Sequence, residues 1–181
     1  MSGRARYDRQ NVGLVQPWLD VSVRTFICAG TAAEQTILAI NNPALSGRIV
    51  TLRRLLGRMQ VSAQNARPVT LLKAPALATD GTVLAKTEDR TSQAVTTLVA
   101  LGANASEGGG ATAITNPAGL VRVFSGCTAG GVAVAGAFWY FDIDGIDQSI
   151  EPGESFCVTV DLEAAGNHSC TAYLTEKFGL G

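Results

Sequence analysis

Apolar and β-branched residues in this chain come in short runs, and each run is stopped by glycine, proline or asparagine before a helix could complete three turns. Thr36 to Ile40 is closed by Asn41, Asn42 and Pro43, with Ser46 and Gly47 finishing the turn. These residues stop a strand by different means: proline fixes φ and removes a donor, asparagine bonds its own backbone, and glycine reaches positive φ. Runs of this length, rich in valine, isoleucine and threonine, fit strands. Strands are expected near 21–27, 36–40, 48–61, 69–72, 94–101, 120–124, 137–141, 155–162 and 169–178. Leu52, Leu55, Leu56 and Met59 also fit helical spacing, but Gly57 lowers helix propensity there and a long strand is the better expectation. In that strand Ile49, Thr51 and Arg53 should share one side, and Val50, Leu52 and Arg54 the other. Segments 76–91 and 104–115 read as loops, the first turning at Asp80 and Gly81 with brief strand pairing at Val83 and Leu84. Roughly eight strands without recurring crossover helices imply an all-β, antiparallel β-sandwich of jelly-roll-like type. It should occupy residues 21–181, behind an extended N-terminal arm at 1–20 with Trp18 as its anchor.

A chain of 181 residues, 46% of them apolar, can bury a core without metals or disulfides. Charged residues make up only 16%, which suggests that partners cover much of the surface. Fourteen basic residues against fifteen acidic ones leave no excess charge to attract phosphates or anionic lipid. Nucleic acid is therefore not the expected partner. No apolar run reaches the roughly 20 residues of a spanning helix, and the first residues lack the apolar stretch of a secretion signal.

The residues that could carry chemistry are few. Cys28, Cys127, Cys157 and Cys170 lie too far apart for a paired zinc motif and read as buried small hydrophobes. Alternation sets Cys157 and Cys170 in different layers, against a disulfide. His168 is the only histidine, so any acid-base triad would need it; a solvated turn residue is the plainer reading. Asp142, Asp144 and Asp147 are the densest acidic group, but Gly145 comes too early for a calcium loop. Gly108 to Gly110 has no lysine placed to make a phosphate loop. No catalytic residue, cofactor or metal ligand is expected.

Interaction residues stand out more clearly. Arg48, Arg53, Arg54 and Arg58 crowd four positive charges into a short span without aromatics between them, a pattern better suited to an acidic protein neighbour than to nucleic acid. Phe138, Trp139, Tyr140 and Phe141 are consecutive aromatics, so alternation turns two of them away from the core. Trp139 and Phe141, with Trp18 and the four arginines, are the expected interface residues.

The stretch from Ile40 through Pro43, Ser46 and Gly47 to Val50 resembles a strand-turn-strand of small virion proteins of tailed bacteriophages. Glu151, Pro152, Gly153 and Glu154, and the closing Gly166 and Asn167 before a last strand, resemble the end of the same proteins. The resemblance runs from about Ile37 to Phe178. It implies a β-sandwich, often trimeric, serving as a head-decoration, head-fibre or tail-associated subunit. The expected function is thus a non-enzymatic structural protein of the virion that decorates or cements the capsid by multivalent contacts with the major capsid protein. A carbohydrate- or receptor-binding module on a fibre or tail, using the exposed half of Phe138 to Phe141 with Asp142 and Asp144, is the alternative.

Overall fold

A computed structural model of the chain describes residues 18–29, 34–61, 68–88, 96–104, 112–127, 137–161 and 167–178. In chain order the strands are β1 (Trp18–Arg24), β2 (Cys28–Ala29), β3 (Glu34–Asn41), β4 (Arg48–Val61), β5 (Pro68–Ala74), β6 (Thr79–Asp80), β7 (Thr82–Val83), β8 (Lys86–Glu88), β9 (Val99–Gly102), β10 (Ile114–Thr115), β11 (Val121–Cys127), β12 (Ala137–Ile150), β13 (Ser155–Asp161) and β14 (Asn167–Phe178). One large sheet runs β12-β4-β14-β1-β8, with β2 beside the start of β14. The other runs β11-β5-β13-β3-β9-β7, and β10 with β6 makes a small third sheet. Every pairing is antiparallel. Because β1 opens at Trp18, the residues from Trp18 to Asp20 belong to the sheet, ahead of the boundary expected from sequence; the rest of the expected arm lies outside the described residues.

Period-two burial joins the two large sheets. Val21, Val23, Val50, Leu52, Leu55 and Leu174 from the first meet Leu38, Ile40, Leu71, Phe156 and Val158 from the second in one buried cluster. The second sheet is apolar on its far side as well, where Ala39, Leu101 and Cys157 lie under Ala78 and Ile114. The brief pairing expected at Val83 is present as β7 beside β9; the second apolar face further draws Ala78 and β6 over the sheet, and β8 joins β1 of the first sheet, so residues 76–88 are more than a loop. The turn at Asp80 and Gly81 is present, with φ of 60° and 71°. Between β7 and β8 the chain steps from one sheet to the other. Leu84, at the step, is buried in the main core and donates its amide to Ala100 O at 2.9 Å. Strand β9 begins only at Val99, later than expected, because Thr97 and Leu98 turn their amides to Glu176 instead of a strand.

Bulges keep the alternation in phase over long strands. Leu52 pairs with Leu174 and Arg54 with Tyr173, which leaves Arg53 as an extra residue in β4. The expected separation of Arg53 and Arg54 onto opposite sides is therefore corrected: the bulge turns both outward and keeps Leu52 and Leu55 in the core. A similar shift in β3 buries both Ile37 and Leu38.

Polar side chains fasten one end of the sandwich. Asn42 is fully buried; its amide nitrogen donates to Arg48 O at 2.7 Å and Ile150 O at 3.2 Å, and its Oδ1 accepts from Ser46 Oγ at 2.6 Å. Its backbone pairs with Glu154 O at 3.0 Å and the Gly153 amide at 2.8 Å. Pro152 and Gly153 are the middle of the turn from Glu151 to Glu154, and Gly153 has the φ of 90° that such a Pro-Gly turn requires. The two turn motifs, distant in sequence, are thus one hydrogen-bonded unit. Asn41 adds a clamp, donating to Ala78 O at 2.8 Å and accepting from the Ala78 amide at 3.0 Å. Beside this end Glu176, 1% exposed, accepts from Arg48 Nη1, from Thr96 Oγ1 and from the amides of Thr97 and Leu98, both at 3.3 Å. A buried carboxylate persists only with such a full set of donors.

Replacing Asn42 by alanine removes two donors and one acceptor from a fully buried site, and should cost about 2–4 kcal/mol. The expected readout is a lower urea midpoint at an unchanged slope; a midpoint equal to that of the parent chain would contradict the staple.

Candidate functional site

Six of the seven residues expected at an interface, Arg48, Arg53, Arg54, Arg58, Trp139 and Phe141, fall on the neighbouring strands β4 and β12. Among the described residues β12 is the edge strand of its sheet. Register sets Trp139 opposite Met59 and Phe141 opposite Gly57, while Phe138 and Tyr140 follow the alternate phase that continues into exposed Asp142 and Asp144. The side chains of Trp18 and of Phe138 to Phe141 lie outside the described residues, as does the expected exposure of two of those aromatics.

The charged part of the face is built by the β4 bulge. Opposite it, residues 145–147 of β12 bow out between Asp144 and Gln148, with Gly145 at φ 66° and Asp147 at φ 47°. The two irregularities bring Arg53 to Asp147 as an ion pair. Arg54 grips Asp142 with both ends of its guanidinium, Nε reaching Oδ1 at 2.8 Å. That hydrogen bond holds the Asp142 carboxyl below its usual range and raises the Arg54 guanidinium. Tyr173, partly exposed, stands across from Arg54 on the other side. Arg58 is exposed one row further on.

Solvent-facing ion pairs contribute little to stability. Arginine and aspartate side chains of both signs thus face outward along these two strands. The face is a poor cation site as it stands: guanidiniums engage Asp142 and Asp147, and Asp144 Oδ1 accepts from the Gly145 amide at 2.9 Å. Among the described residues no group of three or more His, Cys, Asp or Glu is placed to hold a metal ion.

Arg48 is not part of this face. It is 9% exposed and ion-paired with Glu176 inside the fold, which makes it a structural cation. Sequence reasoning missed Glu176, Asn41 and Asn42. The signal for Glu176 was present: Cys170, Ala172 and Leu174 set the core phase, and a carboxylate two positions on in that phase needs a buried partner.

His168 corrects another expectation. It is 2% exposed within β14, opposite Cys28 and Met59, and not in a solvated turn. Both ring nitrogens are buried without a hydrogen-bond partner among the described residues, and burial pushes the imidazole down to about 4. It is sealed from any substrate in bulk solvent. The thiols of Cys28 and Cys157 are pushed up by burial to about 11 and that of Cys170 to about 12, and all three are free. Cys157 faces the outer cluster with Ala39 and Leu101, and Cys170 faces the main core, the separation that alternation gives.

An imidazole depressed from 6.5 to about 4 binds its proton more readily in the unfolded chain. Its contribution is whole above pH 6.5 and is lost as pH falls toward 4, by about 3 kcal/mol at full protonation. The His168→Leu variant should lose measurably less stability than the parent between pH 7 and pH 4.5 in urea titrations; equal losses would refute the assignment.

No protein-family model matches the chain, and neither a curated protein nor a solved structure is significantly similar to it.

Proposed function

We propose that the chain is a non-enzymatic structural protein of a tailed-phage virion, a jelly-roll sandwich that decorates or cements the capsid by multivalent contacts with the major capsid protein. The carrying observation is the strand order. With the short strands set aside, the long ones in chain order are β1, β3, β4, β5, β11, β12, β13 and β14. One sheet takes the first, eighth, third and sixth of them, and the other takes the second, seventh, fourth and fifth. This order supports the jelly-roll reading, since two Greek keys folded together give that succession, and capsid and lectin domains use the architecture.

Architecture alone does not fix function, so the reading leans on the surface too. The β4 and β12 face presents fixed charges of both signs on a rigid sheet, a form suited to recognising another folded protein. Many modest contacts, repeated over a lattice at high effective concentration, would stabilise a shell against internal pressure. The sealed histidine and protonated thiols support a binding role over nucleophilic or acid-base chemistry.

Purified particles should contain the chain by mass spectrometry, and the isolated chain should bind particles that lack it. Arg53→Glu with Arg54→Glu should weaken that binding about tenfold, with a melting temperature close to the parent's because both side chains are exposed. Absence from particles together with selective binding on a glycan array would replace this reading by the carbohydrate-binding one.

A further inference from the structure

An aspartate stands directly before a glycine at two places in the chain, Asp80 before Gly81 and Asp144 before Gly145. Without a side chain on the second residue, its main-chain nitrogen can approach the aspartate carboxyl carbon with little steric hindrance. By sequence the two pairs are equivalent. The fold makes them different.

The first pair is held from both ends. Asp80 pairs with Ile114 where β6 meets β10, and Thr82 pairs with Gly102 where β7 meets β9. Gly81 between them is packed so tightly that a Cβ there would lie 2.8 Å from the Ile114 side chain and 2.9 Å from Gly102 O. The Asp80 carboxylate is turned the other way, its Oδ2 accepting from Thr79 Oγ1 at 3.1 Å. Joining Asp80 to Gly81 would require this packing to open.

The second pair sits at the start of the bow in β12. The ladder with β4 stops at Asp144 and resumes at Gln148, so residues 145–147 have no partner on β4. Asp144 and Gly145 are both exposed, and a Cβ on Gly145 would meet nothing within 4 Å. Arg53 and Arg54 pair with Asp147 and Asp142, not with Asp144. The Gly145 amide instead donates to Asp144 Oδ1 at 2.9 Å, which sets the carboxyl carbon, one bond further on, beside that nitrogen. Reacting groups held this close behave as if at high local concentration.

We propose that Asp144 and Gly145 form a site of isoaspartate formation, in which the Gly145 nitrogen attacks the protonated side-chain carboxyl of Asp144. The N–Cγ bond forms, a Cγ–O bond breaks, and the amide proton leaves with the departing hydroxyl as water, closing a succinimide ring. Water then adds to the ring. Opening at the side-chain carbonyl restores aspartate; opening at the main-chain carbonyl leaves isoaspartate, with a free α-carboxylate and the chain running through the former side chain. Water is the only co-reactant, and the mass of the protein is unchanged. The extra main-chain carbon falls where β12 is already out of register with β4, so the bow absorbs it and the ladders on either side remain.

The test is peptide mapping of the purified full chain after weeks in mildly acidic buffer at body temperature, with electron-transfer fragmentation to tell isoaspartate from aspartate. Asp144 should accumulate at least about tenfold more isoaspartate than Asp80. In guanidinium the two positions should come to within about threefold of each other, because only the fold separates them. Asp144→Asn, which loses ammonia in place of water, should convert severalfold faster than the parent, and Asp144→Glu, whose longer side chain closes a larger ring, should show no conversion at this position. A native chain in which Asp80 equals or exceeds Asp144 overturns the proposal. So does a native chain without isoaspartate at Asp144 when the unfolded chain forms it there.

Discussion

The buried side chain of Asn42 sets the geometry on which both sheets rely. It sits where β3 leaves the second sheet for β4 in the first, and it bonds the start of β4, the end of β12 and the turn into β13 at once. Four strands from two sheets therefore have a common origin, and a slip of any one would strand buried polar groups. An amide can do this because it donates twice and accepts in one plane; a carboxylate would lack the donors and a leucine would lack everything. Glu176 fills the complementary role nearby, tying β14 to β4 and to the segment before β9 through Arg48 and the donors at Thr96 to Leu98.

From that fixed end the alternation has to stay in phase along strands of up to fourteen residues. Twist and curvature work against this, and the bulges at Ile37 and Arg53 reset the phase where it drifts. The charged face is a by-product of the second reset. Had β4 remained regular, Arg54 would share the inward phase of Leu52 and point into the core, a position no isolated guanidinium could hold. The bulge removes that conflict and leaves two adjacent arginines to be met by Asp142 and Asp147.

Much of the sandwich was legible because period-two burial and turn chemistry act locally. The bounds of β4 follow from Gly47 before it and from the branched and apolar residues within it, and the layers of Cys157 and Cys170 follow from counting positions. What could not be read depends on contacts between distant segments. The far apolar side of the second sheet drew Ala78 and β6 over it, since Ala39, Leu101 and Cys157 had to be covered, while β7 and β8 lengthened the edges of the two large sheets. Arg48 looked like its arginine neighbours, and only the buried Glu176, 128 positions away, separates it from them. His168 follows a glycine and an asparagine that signal a turn, yet pairing with β2 and β4 draws it inside.

The step from β7 through Leu84 to β8 has a mechanical meaning. Because β8 lies against β1, that strand has hydrogen-bonded neighbours on both sides, β14 and β8, and is not a free edge. A pull entering through the chain before Trp18 meets both ladders lengthwise, so their bonds share the load in shear instead of parting one by one as in a peeled edge. Leu84, anchored in the core, carries part of that load across to the opposite sheet.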